Sequence, residues 1–323
     1  MKRTALVTGA GGAIGSGLVE RLLEQGYAVR ALVRESAPSG LMAEGVEIIR
    51  GDITDCRLVP QAVEGADAVF HLAAKLHINN PALALKEEYV RVNIEGTRCL
   101  AAAASAAGVK RLIFFSTINV YGSSRPGQLF DEAAPLNPDS WYAETKIEGE
   151  RIVREELPST VLRVAAVYGP RMKGNYPRLV EAVRRKRLTF IGDGSNRRTL
   201  VHERDVCDAA IKAAESDASI GQTFNVTDGR VHTMREIIAA IAAALGQRPP
   251  RLRLPARPVR LIAGLMEDGL RLAGKTSPIG RATIDKLTED IAVSGDKLQR
   301  ELGFQPRFDL QTGWRQTIAQ MLN

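Results

Sequence analysis

Tyr142 and Lys146 stand four residues apart in YAETK, a spacing that stacks a phenol and an ammonium on one face of a helix. A free phenol titrates near pKa ~10, too high for a base at neutral pH. A cation held beside it favours the phenolate and brings it closer to a working range. The pair is therefore suited to taking a proton from a carbinol, or returning one to a carbonyl. Upstream, Ser116-Thr117 closes an apolar run, and the Thr117 hydroxyl is placed to orient and polarise the reacting oxygen. A Tyr–Lys pair alone is an ordinary surface pair. Its position behind a glycine-rich turn gives it weight.

That turn is TGAGGAIG at 8–15, directly after the first apolar run and opening the first helical one. Gly9 permits the tight turn, Gly12 lets backbone approach a pyrophosphate, and Gly15 allows close helix–strand packing. The helix start at Ala13 and Ile14 offers free N–H groups and a positive dipole end to the phosphates. A dinucleotide, NAD or NADP, is the expected cofactor. Where NAD enzymes end their second strand in an acid, this chain has Val33-Arg34. An arginine suits the 2′-phosphate of NADP, which tips the expectation that way, with a solvated strand-end arginine as the alternative. Asp52, followed by Ile53, is placed to accept from the adenine amino group or to cap its own turn.

The elements that must position these residues alternate. Strands are predicted at Ala5–Thr8, Val29–Val33, Val46–Arg50, Ala68–His71, Leu112–Ser116 and Thr160–Val164, with helices at Ile14–Gln25, 81–107 and Tyr142–Glu156. Such alternation, with continuously apolar strands, predicts an α/β fold: a doubly wound parallel sheet of the Rossmann type. Residues 1–170 form this core, and 171–323 form a smaller α/β substrate domain, with about 199–230 returning to the core. In the second half, helices are predicted at Pro177–Arg187, Asp205–Ser216, Met234–Leu245 and Leu310–Met321, with a strand at Phe224–Val226. Arg248–Arg260 (RPPRLRLPARPVR) reads as an extended connection. The amphipathic stretch Leu261–Leu272 after it is expected to pack over the substrate domain.

Composition narrows the function classes. The net charge of +7 suits an anionic ligand, but aromatic residues make up only 5%, too few for the stacking platforms of nucleic-acid binding. Cys56, Cys99 and Cys207 show no CxxC and are expected to be reduced thiols. His71, His77, His202 and His232 form no ligand cluster, so no metal is expected. No stretch approaches the ~20 apolar residues of a membrane span, and the expected location is cytoplasmic.

Taken with HLAA at 71–74, VNIEGT at 92–97, FSTINVYG at 115–122 and LRVAAVYGP at 162–170, these motifs resemble the extended short-chain dehydrogenases/reductases, the NAD-dependent epimerase/dehydratase family, over essentially the whole chain. The resemblance implies a catalytic set of Thr117, Tyr142 and Lys146. It implies that Leu72, Ala73, Ala74 and Ser116 line the cofactor cleft and that Asn93 supports the active site from the cofactor side. By the same resemblance Asn119 faces the substrate, Asn175 contacts a diphosphate, Arg198 binds a phosphate, and Thr189 and Ile191 fall near a uracil pocket. Arg281 is a candidate for the second cation of the diphosphate clamp. A homodimer through helices 81–107 and 142–156 is also implied.

Two departures from the family pattern restrict the chemistry. Dehydratases follow the catalytic threonine with Asp-Glu, whereas Ile118-Asn119 stand here, so no acid is placed to expel a 6-hydroxyl. Decarboxylases carry a glutamate at the Asn119 position. What remains is oxidation or reduction at one carbinol, most consistently C4 of a UDP-sugar, by a 4-epimerase or a 4-keto-sugar reductase. The alternative is a 3β-hydroxysteroid-type or β-keto-acyl dehydrogenase acting on an apolar alcohol, a reading drawn from PVRLIAGLMEDGLRLAG and KLTED. A non-catalytic protein on the same fold typically lacks the tyrosine that is present here.

Overall fold

The computed structural model describes residues 2–37, 44–76, 85–125, 127–250, 252–272 and 280–322. His77 and the 81–84 start of the predicted second helix lie outside them. The expected strands form with edges moved by a residue or less: β1 (Thr4–Thr8), β2 (Ala28–Val33), β3 (Val46–Arg50), β4 (Ala68–His71), β5 (Arg111–Thr117) and β6 (Ser159–Val164). Between them run α1 (Ala13–Glu24), α2 (Val59–Val63), α3 (Leu85–Val90), α4 (Gly96–Ala106) and α5 (Trp141–Glu156). The predicted helix 81–107 is thus not one rod. A π-helical turn at Arg91–Glu95 joins α3 to α4 and carries the buried Asn93.

The second half adds β7 (Ala166–Tyr168), α6 (Asn175–Arg184), β8 (Phe190–Ile191), β9 (Arg197–His202), α7 (Glu203–Glu215), β10 (Thr223–Val226), β11 (Val231–Thr233), α8 (Met234–Ala244) and β12 (Arg253–Leu254). The chain closes with α9 (Ala256–Leu272), α10 (Arg281–Thr288), α11 (Asp296–Leu302) and α12 (Leu310–Leu322). Seven parallel strands make the main sheet in the order β10-β6-β5-β4-β1-β2-β3. β4 and β6 are buried along their whole length, which is why they read as unbroken apolar runs. Order reverses between β1 and β4, and ligands of such sheets bind at that crevice. β11-β9-β7 and β12-β8 form two small sheets beyond it, and a separate apolar core around Trp314, Tyr168 and Ile241 holds α12 against α8.

Two sequence expectations fail here. Arg248–Arg260 is not an extended connection throughout: β12 occupies Arg253–Leu254 and α9 begins at Ala256. Pro258 sits in its first turn, where a missing N–H costs no helical hydrogen bond. Nor are all three cysteines thiols. Cys56 and Cys99 form a disulfide across the packed loop and α4, a pairing that 43 residues of separation concealed. Cys207 remains a buried thiol whose ionisation burial opposes.

Candidate active site

The glycine turn has the shape its spacing predicts. Gly9 has φ +69°, and a Cβ there would stand 2.7 Å from the Ala73 backbone nitrogen, so the turn presses directly on the segment after β4. A Cβ on Gly15 would collide with the Gly9 carbonyl. Gly12 N–H closes the turn on Gly9 O at 2.9 Å. Gly12 also caps α1 with no side-chain hydrogen bond and no acid in the first turn, leaving the end N–H groups at Ala13, Ile14 and Gly15 for a ligand anion. These features fit a dinucleotide pyrophosphate.

The floor of this site is polar and fully paired. Leu72 N–H and Ala73 N–H donate to the Thr8 carbonyl and hydroxyl, at 3.2 Å each, which fixes the approach of 72–74 to the turn. His71, which sequence reasoning did not single out, lies below it, with Nδ1 2.8 Å from Thr8 Oγ1 and Nε2 2.9 Å from Thr97 Oγ1. Burial and the nearby Lys146 charge push its pKa down to about 3, so the ring is neutral. Asn93 Oδ1 accepts from Lys75 N–H at 2.7 Å and its Nδ2 donates to Thr145 Oγ1 at 3.0 Å. The expected cofactor contact is thus a strut, tying the post-β4 segment to α5. A polar side chain inside an apolar strand or turn was the available signal for both.

At the adenosine end, Arg34 is exposed after β2 and lies close enough to Asp52 to act on its charge. Burial of Asp52 raises its pKa, but the Thr54 N–H and hydroxyl, with Arg91 and Arg34, outweigh this and hold the carboxyl below its usual range. Its Oδ1 takes both Thr54 donors, at 2.9 and 2.7 Å, so Asp52 caps its own turn. Ile53 beside it is buried against Gly96.

β5 and α5, which pack on each other, carry the three candidate catalytic residues. Thr117 ends β5, and its oxygen accepts from Asn119 N–H at 3.2 Å, leaving the hydroxyl hydrogen to donate elsewhere. The Asn119 side chain is half-buried behind it. Ser140 caps α5 by accepting from Ala143 N–H, which sets Tyr142 and Lys146 in its first two turns. Burial, reinforced by Tyr89, pushes the Tyr142 phenol up to about 12. Lys146 is 3% exposed, with its ammonium 4.0 Å from the centre of the Phe114 ring. Burial pushes it down to about 7, against the opposing charge of Glu150.

Glu150 was not foreseen either. It is buried one turn beyond Lys146, accepting from Ser116 Oγ at 2.5 Å and from Arg163 at 2.8 and 3.0 Å. Arg163 continues to the Tyr121 hydroxyl at 2.9 Å, and Tyr121 to Asn225 at 2.8 Å. Ser116 thereby anchors β5 to α5 through its hydroxyl. This network locks the strand bearing Thr117 to the helix bearing Tyr142.

On the far side, Asn175 is exposed at the start of α6, whose N-terminus has no side-chain cap and no acid in its first turn. Arg198 acts electrostatically on Tyr176, so this helix end and β9 converge. Two Arg198 N–H groups donate to the carbonyls of Glu289 and Lys286, at 2.7 and 2.8 Å, which fixes the guanidinium with its Nη1 3.7 Å from the Glu289 carboxylate. Thr189 and Ile191 flank and end β8, half-buried. Arg281 does not join them. It pairs with Asp268 at 2.6 Å and locks α10 to α9, which corrects its expected role as a clamp cation.

Among the described residues there is no cluster of three metal-ligating side chains and no helix long and apolar enough to cross a membrane. A profile described as the NAD dependent epimerase/dehydratase family matches residues 5–227. A 2-alkyl-3-oxoalkanoate reductase of Stenotrophomonas maltophilia is 31% identical over 97% of this chain and 98% of the relative. A UDP-glucose 4-epimerase of Mycolicibacterium smegmatis is 36% identical over 76% of this chain and 86% of its own. Among solved structures, MoeE5 in complex with UDP-glucose and NAD superposes with a TM-score of 0.78 at 27% identity, covering 99% of this chain and 98% of that one.

Proposed function

The chain belongs to the NAD dependent epimerase/dehydratase family, and we propose that it oxidises or reduces one carbinol at C4 of a UDP-sugar, as a 4-keto-sugar reductase or a 4-epimerase. A bound NAD(P) supplies the hydride acceptor or donor. Tyr142 holds or takes the proton of the reacting oxygen, Thr117 donates a hydrogen bond to that oxygen, and Lys146 favours the phenolate when the proton leaves. Gly9, Gly12 and the uncapped start of α1 hold the pyrophosphate, and Arg34 beside Asp52 favours NADP. A homodimer through α4 and α5 is part of this reading.

The observation that carries the substrate class is the convergence of the uncapped α6 N-terminus at Asn175 with the carbonyl-fixed Arg198. Helix-end N–H groups and a rigid guanidinium suit a diphosphate. The test is incubation with UDP-glucose, UDP-N-acetylglucosamine and their 4-keto-6-deoxy derivatives, with NAD or NADPH. Turnover of one of these is expected. A second reading, reduction of an apolar 3-oxo compound, is favoured by the likeness to a 2-alkyl-3-oxoalkanoate reductase over 97% of the chain. Turnover of such a ketone, with none of the nucleotide sugars, would replace the first reading.

A further inference from the structure

α9 is turned the wrong way for a helix that packs on its own protein. Surface helices put their apolar stripe inward and their charges outward. In α9 the charged side meets α10: Arg260 bonds Asp285 at 2.6 Å, Asp268 bonds Arg281 at 2.6 Å, and Glu267 accepts from the Arg281 N–H at 3.0 Å. Ala263 and Gly264 are the buried positions, and a Cβ on Gly264 would run into the Arg281 guanidinium. The large side chains point out. Leu261, Ile262, Leu265 and Met266, at the i, i+1, i+4, i+5 positions of one face, are 64%, 59%, 63% and 50% exposed. Leu252 and Leu254 on the preceding segment are exposed too, so among the described residues six of the fourteen exposed large hydrophobic side chains lie within fifteen positions. This corrects the expectation that Leu261–Leu272 packs over the substrate domain. Ion pairing with α10 has claimed the side that would otherwise face water.

The charges around the stripe indicate what covers it. Arg253 and Arg257 are exposed and have no ion-pair partner among the described residues, whereas Arg271 lies a turn past Asp268 on the side that meets α10. The two unpaired arginines stand before the stripe and at its start, where long side chains can reach sideways while the leucines are buried. A second copy apposed through the same face would bring these arginines against their own equivalents. An anionic lipid surface complements them, and the chain's net charge of +7 favours approach to it. A strongly amphipathic helix whose exposed leucines follow two unpaired arginines matches the in-plane, interfacial mode of membrane contact.

We propose that the outward face of α9 docks on the surface of an anionic lipid bilayer. The chain does not cross the bilayer. β12, next to this face, pairs with β8 at Leu254 and Ile191, so on the function proposed above docking turns the substrate side of the molecule to the membrane. The proposal stands on surface geometry alone and is independent of which substrate is turned over.

Flotation of the full-length protein with vesicles tests it. Vesicles of phosphatidylcholine with a quarter phosphatidylglycerol are expected to carry the protein upward at low salt, and pure phosphatidylcholine to carry about tenfold less. Leu261→Glu combined with Leu265→Glu is expected to lower binding to the mixed vesicles by about tenfold or more. Arg253→Glu combined with Arg257→Glu is expected to abolish the preference for the anionic lipid. Cofactor binding and the thermal midpoint should stay unchanged in both variants, because the altered side chains are exposed. Failure of the native protein to float would overturn the proposal, as would undiminished binding by the leucine variant. If the protein instead self-associates without lipid, and Leu265→Glu makes it monomeric, the face is an interface between copies and the lipid assignment is wrong.

Discussion

Replacing Lys146 with methionine removes the ammonium and keeps an unbranched side chain of similar volume. Lys146 is buried, and its pKa falls from 10.5 to about 7 in the native state. At about 1.4 kcal/mol per tenfold change in proton affinity, burying the charged form costs up to about 5 kcal/mol. The groups that face it are Tyr142 and Glu150 on α5, the Phe114 ring on β5 and the neutral His71 on β4. Loss of the ammonium strands no partner, because Glu150 keeps Arg163 and Ser116. The native state gives up this proton first. Between pH 7 and 10.5 the unfolded chain therefore binds more protons, and stability rises with pH. Below pH 7 the cost is fully present, and above 10.5 it is gone. The methionine variant should thus exceed the native protein by up to about 4–5 kcal/mol at pH 6.5 and by only about 1–2 kcal/mol at pH 9.5, while turnover falls at least about a hundredfold. Urea denaturation of both proteins at the two pH values measures this. An advantage that does not shrink with pH, or a variant less stable at both, would refute the claim that the active-site lysine is held at the expense of stability.

Tyr142→Phe is expected to lower turnover by about 10²–10⁴-fold while the cofactor dissociation constant stays within about threefold; retained turnover would remove Tyr142 from the reaction. Arg34→Ala should weaken NADPH by about tenfold and leave NADH nearly untouched, which fluorescence titration of both would reveal. Equal losses would mean that Arg34 does not read the 2′-phosphate. Glu150→Gln leaves Arg163 buried without a counter-charge and should destabilise the protein by about 3–5 kcal/mol. A cost under about 1 kcal/mol by the same urea assay would show that the buried pair is not what locks α5 to β5. Gly15→Ala forces a Cβ onto the Gly9 carbonyl and should lower cofactor affinity by at least about tenfold, with unchanged affinity counting against the turn as the pyrophosphate site.

The parts of this molecule that could be read from sequence share a physical property: their signal is local. Ala68–His71 was found to the residue, because a strand with neighbours on both sides must be apolar along its length or carry its polar groups paired, and the edge strand Val46–Arg50 was found from its β-branched run. TGAGGAIG and YAETK likewise state their geometry within eight and five residues. What stayed hidden depends on partners far along the chain. Glu150 and Arg163 look like an ordinary helix charge and an odd strand residue until the fold makes them a pair. Arg198 is held by carbonyls 88 and 91 positions away. Short β7, β8, β11 and β12 have too few residues for any periodicity, and their pairing rather than their composition defines them. The α9 reversal was invisible for the same reason. Its amphipathic pattern could be read, but the side facing inward is decided by Arg281 and Asp285 on another helix.

The protonation states of the resting site weigh on the direction of the reaction. A phenol held up at about 12 carries its proton at neutral pH, and a lysine brought down to about 7 offers it only a partial charge. Tyr142 is in that state a donor. Thr117 is a donor too, since Asn119 N–H occupies an oxygen lone pair and leaves the hydroxyl hydrogen unspent. Both residues lie where β5 packs on α5, and a substrate oxygen bound between them accepts. A ketone satisfies both at once and gains its proton as hydride arrives. An alcohol oxygen accepts from both as well, but its oxidation needs a Tyr142 that has lost its proton, against burial and against Tyr89. An epimerase must begin with that second case, whereas a ketoreductase begins with the first. Within the function proposed above, this resting state favours the reductive direction.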